Sequence, residues 1–224
     1  MKEKRCYIFD LDGTLTDPMI GITTCVQYAL AAYGIDEPDI RNLTKFIGPP
    51  LVTSFMEFYG VDNDTAQGML VKYRERFSTV GLYENEIYPG IAQMLAQLNK
   101  EGHTIAMATS KPIGFAERIL EHFNIKQYFH VLAGASMDES RNTKEAVLEF
   151  ALNQLKKEEH LKTGVRPPIM IGDRKFDVLA GKMFGTDTVG VLYGYGSEEE
   201  LLAAAPTHLV KDVEELSNLL LEYN

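Results

Sequence analysis

Asp10 and Asp12 stand two residues apart, where the short apolar run from Arg5 to Phe9 gives way abruptly to carboxylates and glycine. If that run is a strand whose extended geometry persists, its period of two turns both carboxylates to one side. Two acids so close repel each other, so keeping both ionised is costly unless a cation joins them or one retains its proton. That tension points to catalysis. Gly13 lets the backbone turn tightly and brings N–H groups near a bound anion, while Thr14 and Thr16 offer hydroxyls to the turn. Taken alone, Asp-Leu-Asp-Gly-Thr is equally compatible with a pair of ordinary turn aspartates. His103, His122, His130, His160 and His208 lack any zinc-ligand spacing and read as surface or packing residues. Gly194-Tyr195-Gly196 lacks the spacing and first-strand context of a dinucleotide fingerprint and reads as a turn near the mouth of a site.

The run before Asp10 reads as a buried strand delivering polar groups to its C-terminal tip. The pattern recurs: Thr104 to Ala108 leads into Thr109 and Ser110, Val131 to Ala133 into Gly134, Pro168 to Ile171 into Gly172 and Asp173, and Thr188 to Leu192 into Tyr193 and Gly194. Between these tips lie apolar residues at helical spacing, such as Ile91, Met94, Leu95 and Leu98, then Phe115, Ile119 and Phe123, then Val147, Phe150 and Ala151. Alternating strand and helix predicts a parallel sheet covered on both faces, with ligands bound beyond the carboxyl ends of its strands. From Asp17 to about Tyr83 only helical spacing appears. Gly34, Gly48-Pro49-Pro50, Gly60 and Gly81 divide that stretch into about four helices, with Pro38 favouring the start of the second.

Composition removes several classes of function. The 224 residues are 45% hydrophobic and 24% charged, which suits one folded domain plus a small insert. A net charge of -10 repels nucleic acid polymers and anionic lipid surfaces, although a local basic pocket for a small phosphorylated molecule remains compatible with it. Cys6 and Cys25 are too few for a disulfide framework and fit a reducing compartment. No targeting segment is readable, and no apolar run reaches the length of about 18 residues needed to span a membrane. The expected location is the cytoplasm; oligomeric state is not encoded in these features.

Phe9 to Asp17, Phe-Asp-Leu-Asp-Gly-Thr-Leu-Thr-Asp, resembles the first motif of the haloacid dehalogenase (HAD) superfamily. Thr109 with Ser110-Lys111-Pro112 is similar to the second motif, Lys144 in Asn142-Thr143-Lys144-Glu145 to the third, and Gly172-Asp173-Arg174-Lys175-Phe176-Asp177 to the acidic fourth. Four motifs in the family's order cover nearly the whole chain. The resemblance implies an α/β fold: a doubly wound, Rossmann-like core of residues 1–16 and 84–224, and an all-helical cap of residues 17–83 inserted after the first strand.

It also implies roles. Asp10 is the expected nucleophile, forming an aspartyl-phosphate. Asp12 is the expected acid and base, which requires a pKa above the reference of about 3.9 for part of the cycle. Asp10, Asp173 and the backbone carbonyl of Asp12 are expected to hold Mg²⁺, a hard ion that prefers oxygen. Asp177 joins that metal set, more as a partner of metal-bound water or of Lys144 than as a direct ligand. Thr109, Ser110, Lys144 and the backbone N–H groups after Asp10, beginning at Leu11, are expected around the transferring phosphoryl group. Arg41, Lys45 and Pro49 are the candidates on the cap to face substrate, with cap closure excluding water.

Within this resemblance the second aspartate separates phosphoryl chemistry from carbon–halogen hydrolysis, whose leaving chloride needs no proton. The implied activity is hydrolysis of a small phosphate ester. The rival readings are a phosphomutase, which shares the core motifs, and a non-catalytic binder of phosphorylated ligands. Gly48-Pro49-Pro50-Leu51, Tyr88-Pro89-Gly90, Thr143-Lys144 and the run from Gly190 to Gly196 look like the phosphoglycolate-phosphatase-like proteins and their 5'-nucleotidase-like branch. Glu145 stands where phosphoglycolate phosphatases commonly carry proline after the lysine, a departure that weighs against phosphoglycolate itself.

Overall fold

The computed structural model describes residues 4–136, 140–161 and 166–222. The chain divides into two compact units, one of Met1–Thr16 with Ile87–Asn224 and one of Asp17–Glu86. Strands β2 (Thr16–Asp17) and β3 (Glu86–Ile87) lie where the chain leaves the first unit and returns to it.

The larger unit is built on β1 (Cys6–Phe9), β4 (Thr104–Pro112), β5 (Val131–Ala135), β6 (Ile169–Gly172), β7 (Asp187–Val191) and β8 (His208–Val210). They form one six-stranded sheet in the order β5-β4-β1-β6-β7-β8, and every pairing is parallel. Its helices are α4 (Ile91–Lys100), α5 (Ile113–His122), α6 (Lys144–Lys157), α7 (Lys175–Met183), α8 (Glu198–Ala204) and α9 (Val213–Glu222). All four residues of β1 are buried, as expected of a central parallel strand covered on both sides. Ile8 packs with Ala106, Ala133 and Met170 against Val147, Leu148 and Ala151 of α6 and Ala180 of α7. Tyr7 points to the opposite face and donates its hydroxyl to the carbonyl of Leu220 in α9, at 2.7 Å.

β1 has β4 on one side and β6 on the other, so the chain's crossovers reverse direction around it. The crevice beyond the carboxyl ends of such central strands is where an open α/β sheet accepts ligands. Asp10, Thr109 and Asp173 stand at or just beyond these three tips. The sixth strand, β8, adds a short edge that the apolar spacing did not predict. β4 also runs past its expected end, and its pairing with β5 slips between Thr109 and Pro112.

The smaller unit contains α1 (Met19–Ala32), a 3-10 helix over Ile40–Phe46, α2 (Leu51–Tyr59), α3 (Asn63–Phe77) and a short 3-10 turn over Gly81–Tyr83. The segment after Pro38 starts at Asp39, whose carboxylate accepts the Arg41 N–H at 3.0 Å, but it winds as a 3-10 helix. Ile22, Val26, Ala29, Leu43, Phe46, Phe55, Met69 and Phe77 are buried in this unit. Phe46 meets the rings of Phe55 and Phe58 at centroid separations of 5.1 and 5.2 Å. Among the described residues no helix is long and apolar enough to cross a membrane.

Candidate active site

β1 ends at Phe9, so the alternation of a strand does not aim both aspartates. A tight loop does: the N–H groups of Thr14, Leu15 and Thr16 all donate to the carbonyl of Leu11, and the Gly13 N–H donates to the carbonyl of Thr16. Gly13 sits at φ +79°, a left-handed conformation that side chains disfavour, and a Cβ there would overlap the carboxylate of Asp173. The loop therefore packs directly on the tip of β6.

Asp10 and Lys144 are the centre of the cluster. Lys144 begins α6, where Thr143 caps the helix by accepting the Ala146 N–H at 3.3 Å. Its ammonium lies 2.9 Å from Asp10 Oδ2, 2.8 Å from Asp177 Oδ1 and 3.1 Å from the carbonyl of Ala108. Three donors thus meet three oxygens. Burial alone would lower the lysine's proton affinity, but the charges of Asp10 and Asp177 outweigh it and hold the pKa above the ordinary lysine value. Asp10 Oδ1 accepts the Leu11 N–H at 2.7 Å.

Asp12 forms a second ion pair that the sequence did not announce. Its Oδ2 lies 2.8 Å from the ammonium of Lys111, whose side chain is buried while that of Asp12 keeps a small exposure. Burial raises the proton affinity of Asp12, Lys111 opposes that rise through charge and hydrogen bonding, and Asp10 adds to it. Lys111 follows Thr109 and Ser110 across the irregular register of β4, and such irregularities re-aim side chains near sites. Its backbone N–H donates to Thr109 Oγ1 at 3.2 Å. Thr109 is buried and Ser110 half-buried at the same strand end.

Asp173 and Asp177 close the cluster. Asp177 lies in the first turn of α7; its Oδ2 accepts the Arg174 N–H at 3.1 Å and its Oδ1 faces Lys144. Burial, reinforced by Asp10 and opposed by Lys144, pushes its pKa up to about 6. Asp173 is buried and, among the described residues, has no ion-pair partner: Oδ2 accepts the Tyr195 N–H at 2.7 Å, and Oδ1 accepts no hydrogen bond. Burial, followed by the charges of Asp177 and Asp10, raises its pKa well above the carboxylate range.

One oxygen from each of Asp10, Asp173 and Asp177 falls within 4.8 Å of the others. Counting Asp12, four carboxylates gather with the two ammonium groups of Lys111 and Lys144, so that full ionisation of the four would leave two negative charges unmatched among these groups. An all-oxygen donor set with this imbalance and an orphaned buried carboxylate oxygen fits a hard divalent cation. Among the three, Asp173 Oδ1 has neither a hydrogen bond nor an ammonium beside it, whereas Asp177 Oδ1, also without an aligned hydrogen bond, lies 2.8 Å from the Lys144 ammonium.

Arg41, Lys45 and Pro49 belong to the helical unit. Arg41 is exposed and paired with Asp39 at 2.7 Å, and Lys45 places its ammonium 4.4 Å from the centre of the Phe58 ring. Pro49 is half-buried in the loop before α2.

Comparison with known proteins agrees with this architecture. Residues 7–191 match the family described as haloacid dehalogenase-like hydrolase. The chain is 46% identical to a 5'-nucleotidase of Pseudomonas aeruginosa over 95% of its own length and 94% of that protein. It is 42% identical to the tyrosine-protein kinase PtkA of Mycobacterium tuberculosis, spanning 86% of this chain and 63% of the relative. The crystal structure of a predicted phosphatase from Clostridium acetobutylicum superposes with a TM-score of 0.91 at 41% identity, covering 99% of this chain and 100% of the other. With the motifs assembled at adjacent strand tips and the family pattern spanning most of the sequence, the chain belongs to the haloacid dehalogenase-like hydrolases and is an enzyme of that family.

Proposed function

We propose that this hydrolase is a Mg²⁺-dependent phosphomonoesterase that works through an aspartyl-phosphate on Asp10, with nucleoside monophosphates as its preferred class of ester. The observation that carries the reading is the position of Asp10: one carboxylate oxygen beside Lys144, and the carboxylates of Asp173 and Asp177 alongside. Asp10, Asp173 and the Asp12 carbonyl would hold the cation, with Asp177 fixing Lys144 and the surrounding shell. When bound, the cation supplies charge neutralisation between the phosphate and its attacking carboxylate.

In the first step a carboxylate oxygen of Asp10 attacks phosphorus, and the bond from phosphorus to the ester oxygen breaks. Asp12 gives its proton to the departing alkoxide, a task suited to a carboxyl whose proton affinity burial has raised. In the second step water attacks the same phosphorus, Asp12 takes a proton from it, and Asp10 departs as carboxylate with inorganic phosphate released. Lys144, the Thr109 hydroxyl, Ser110 and the N–H of Leu11 serve the three equatorial oxygens on which charge accumulates. Engagement of the Leu11 N–H requires exchanging its hydrogen bond to Asp10 Oδ1 for one to phosphate, and engagement of Lys144 requires it to release one of its three present contacts.

Glu145 in place of proline after Lys144, together with the resemblance to the Pseudomonas 5'-nucleotidase, favours nucleotides over phosphoglycolate. Choice among esters is assigned to Arg41, Lys45 and Pro49 of the helical unit. The deciding experiment is a panel of nucleoside monophosphates, phosphoglycolate and sugar phosphates ranked by kcat/KM with Mg²⁺, beside Asp10→Asn. Phosphate release from nucleotides by the wild type alone is expected. Ligand binding without turnover, phosphosugar isomerisation outrunning phosphate release, or transfer from ATP to tyrosine without hydrolysis of monoesters would each overturn the assignment.

A further inference from the structure

The turn that follows β7 has a closer relation to the cluster than a connection between strand and helix requires. Its Tyr195 N–H holds Asp173 Oδ2, while Oδ1 of the same buried carboxylate is left without a partner. A Cβ on Gly194 would overlap the Asp173 side chain and the Gly13 carbonyl, and one on Gly196 would overlap the Asp173 carbonyl. Gly13 closes the other side in the same way. Asp173 is thus enclosed by glycine backbone, with one oxygen fixed and one presented. The preceding residue ties the turn to the loop that carries the aspartate pair: Tyr193 donates its hydroxyl to the Thr14 carbonyl at 2.9 Å, and its ring meets Tyr88 edge-on at 4.9 Å.

We propose that Tyr193, Gly194, Tyr195 and Gly196 form a positioning device that fixes the rotamer of Asp173 and its spacing from the Asp10 loop, and thereby sets divalent-cation affinity. The inference rests on the metal-dependent reading above. These residues touch neither substrate nor the reacting atoms in this scheme. They act through Asp173, by removing the rotational freedom the carboxylate would otherwise lose on binding a cation. Partners of this outer kind typically change metal affinity by roughly 10- to 100-fold when removed.

The test is Mn²⁺ binding to the full chain without substrate, followed by electron paramagnetic resonance, for wild type, Gly194→Ala, Tyr193→Phe and Asp173→Asn. Gly194→Ala is expected to weaken Mn²⁺ by at least about tenfold, and Tyr193→Phe, which keeps the ring and loses one hydrogen bond, by roughly threefold to tenfold. In turnover, the Mg²⁺ concentration for half-maximal rate should rise by the same factors, while kcat at saturating Mg²⁺ returns to within about threefold of wild type. Equal Mn²⁺ affinity in wild type and both turn variants overturns the proposal while leaving the metal site intact. Wild type that binds no more Mn²⁺ than Asp173→Asn overturns the metal reading itself. If Gly194→Ala fails to fold, Tyr193→Phe decides: unchanged Mn²⁺ affinity in that variant counts against the device.

Discussion

Lys144 shares one buried ammonium among Asp10, Asp177 and the Ala108 carbonyl, so its removal unpairs two carboxylates as well as deleting one charge. Lys144→Met leaves two buried carboxylates without their cation. We expect kcat to fall by about 10²- to 10³-fold, as for loss of one oriented electrostatic contact, with a lower melting temperature in the metal-free protein. Lys111 answers to a different measurement. In Lys111→Met the carboxyl of Asp12 loses the neighbour that lowers its proton affinity, so it should keep its proton to higher pH. In the proposed mechanism the first step needs that proton, so the alkaline limb of kcat/KM should move upward in pH, which a pH–rate profile would show. An unmoved limb would remove Asp12 from the role of acid. The Asp-Leu-Asp-Gly-Thr run made the first two carboxylates legible from sequence, and strand-end position did the same for Thr109 and Asp173. Lys111 was not legible, because its aim depends on a slip in the pairing of β4 with β5, a property of two strands and not of one segment.

The elements explain why the cluster is held so closely. β1 is hemmed in by β4 and β6, and α6, which begins with Lys144, packs its apolar face onto the sheet through Val147, Leu148 and Ala151. Leu148→Ala should therefore cost about 2 to 5 kcal/mol of stability in urea unfolding, the usual range for a fully buried leucine. The spacing of apolar residues made the five longer strands of this sheet readable because each contains a short, mostly buried apolar run. β8 escaped that reading: His208, Leu209 and Val210 are only three residues, and two of them are half-buried at the edge. The 3-10 winding of Ile40–Phe46 was equally hidden, since a start signal such as Asp39 serves either kind of helix.

At the scale of the molecule, the buried acidic cluster couples stability to pH. Asp173 and Asp177 have raised pKa values in the folded protein without a cation, so at these two sites the folded state binds more protons than the unfolded chain above about pH 4, against the surface carboxylates whose ion pairs shift them the other way near that pH. Stability of the metal-free protein should accordingly fall as pH rises from about 4 through 6 and beyond. Saturating Mg²⁺ should raise the melting temperature more at pH 7.5 than at pH 5, where protons compete for the same oxygens. Calorimetry with and without EDTA checks both statements. A flat profile in EDTA would mean that the carboxylates are compensated by something other than a cation.

The central strand has a consequence for how the protein comes into being. β1 is made before its neighbours β4 and β6, which lie about 100 and 160 residues further along, and Tyr7 reaches its acceptor only at Leu220. During synthesis the segment that carries Asp10 leaves the ribosome long before the two strands that flank it. Until β4 and β6 have emerged, the apolar β1 lacks the two strands that flank it in the folded sheet, and such long-range pairing is slow to form and exposes apolar surface meanwhile.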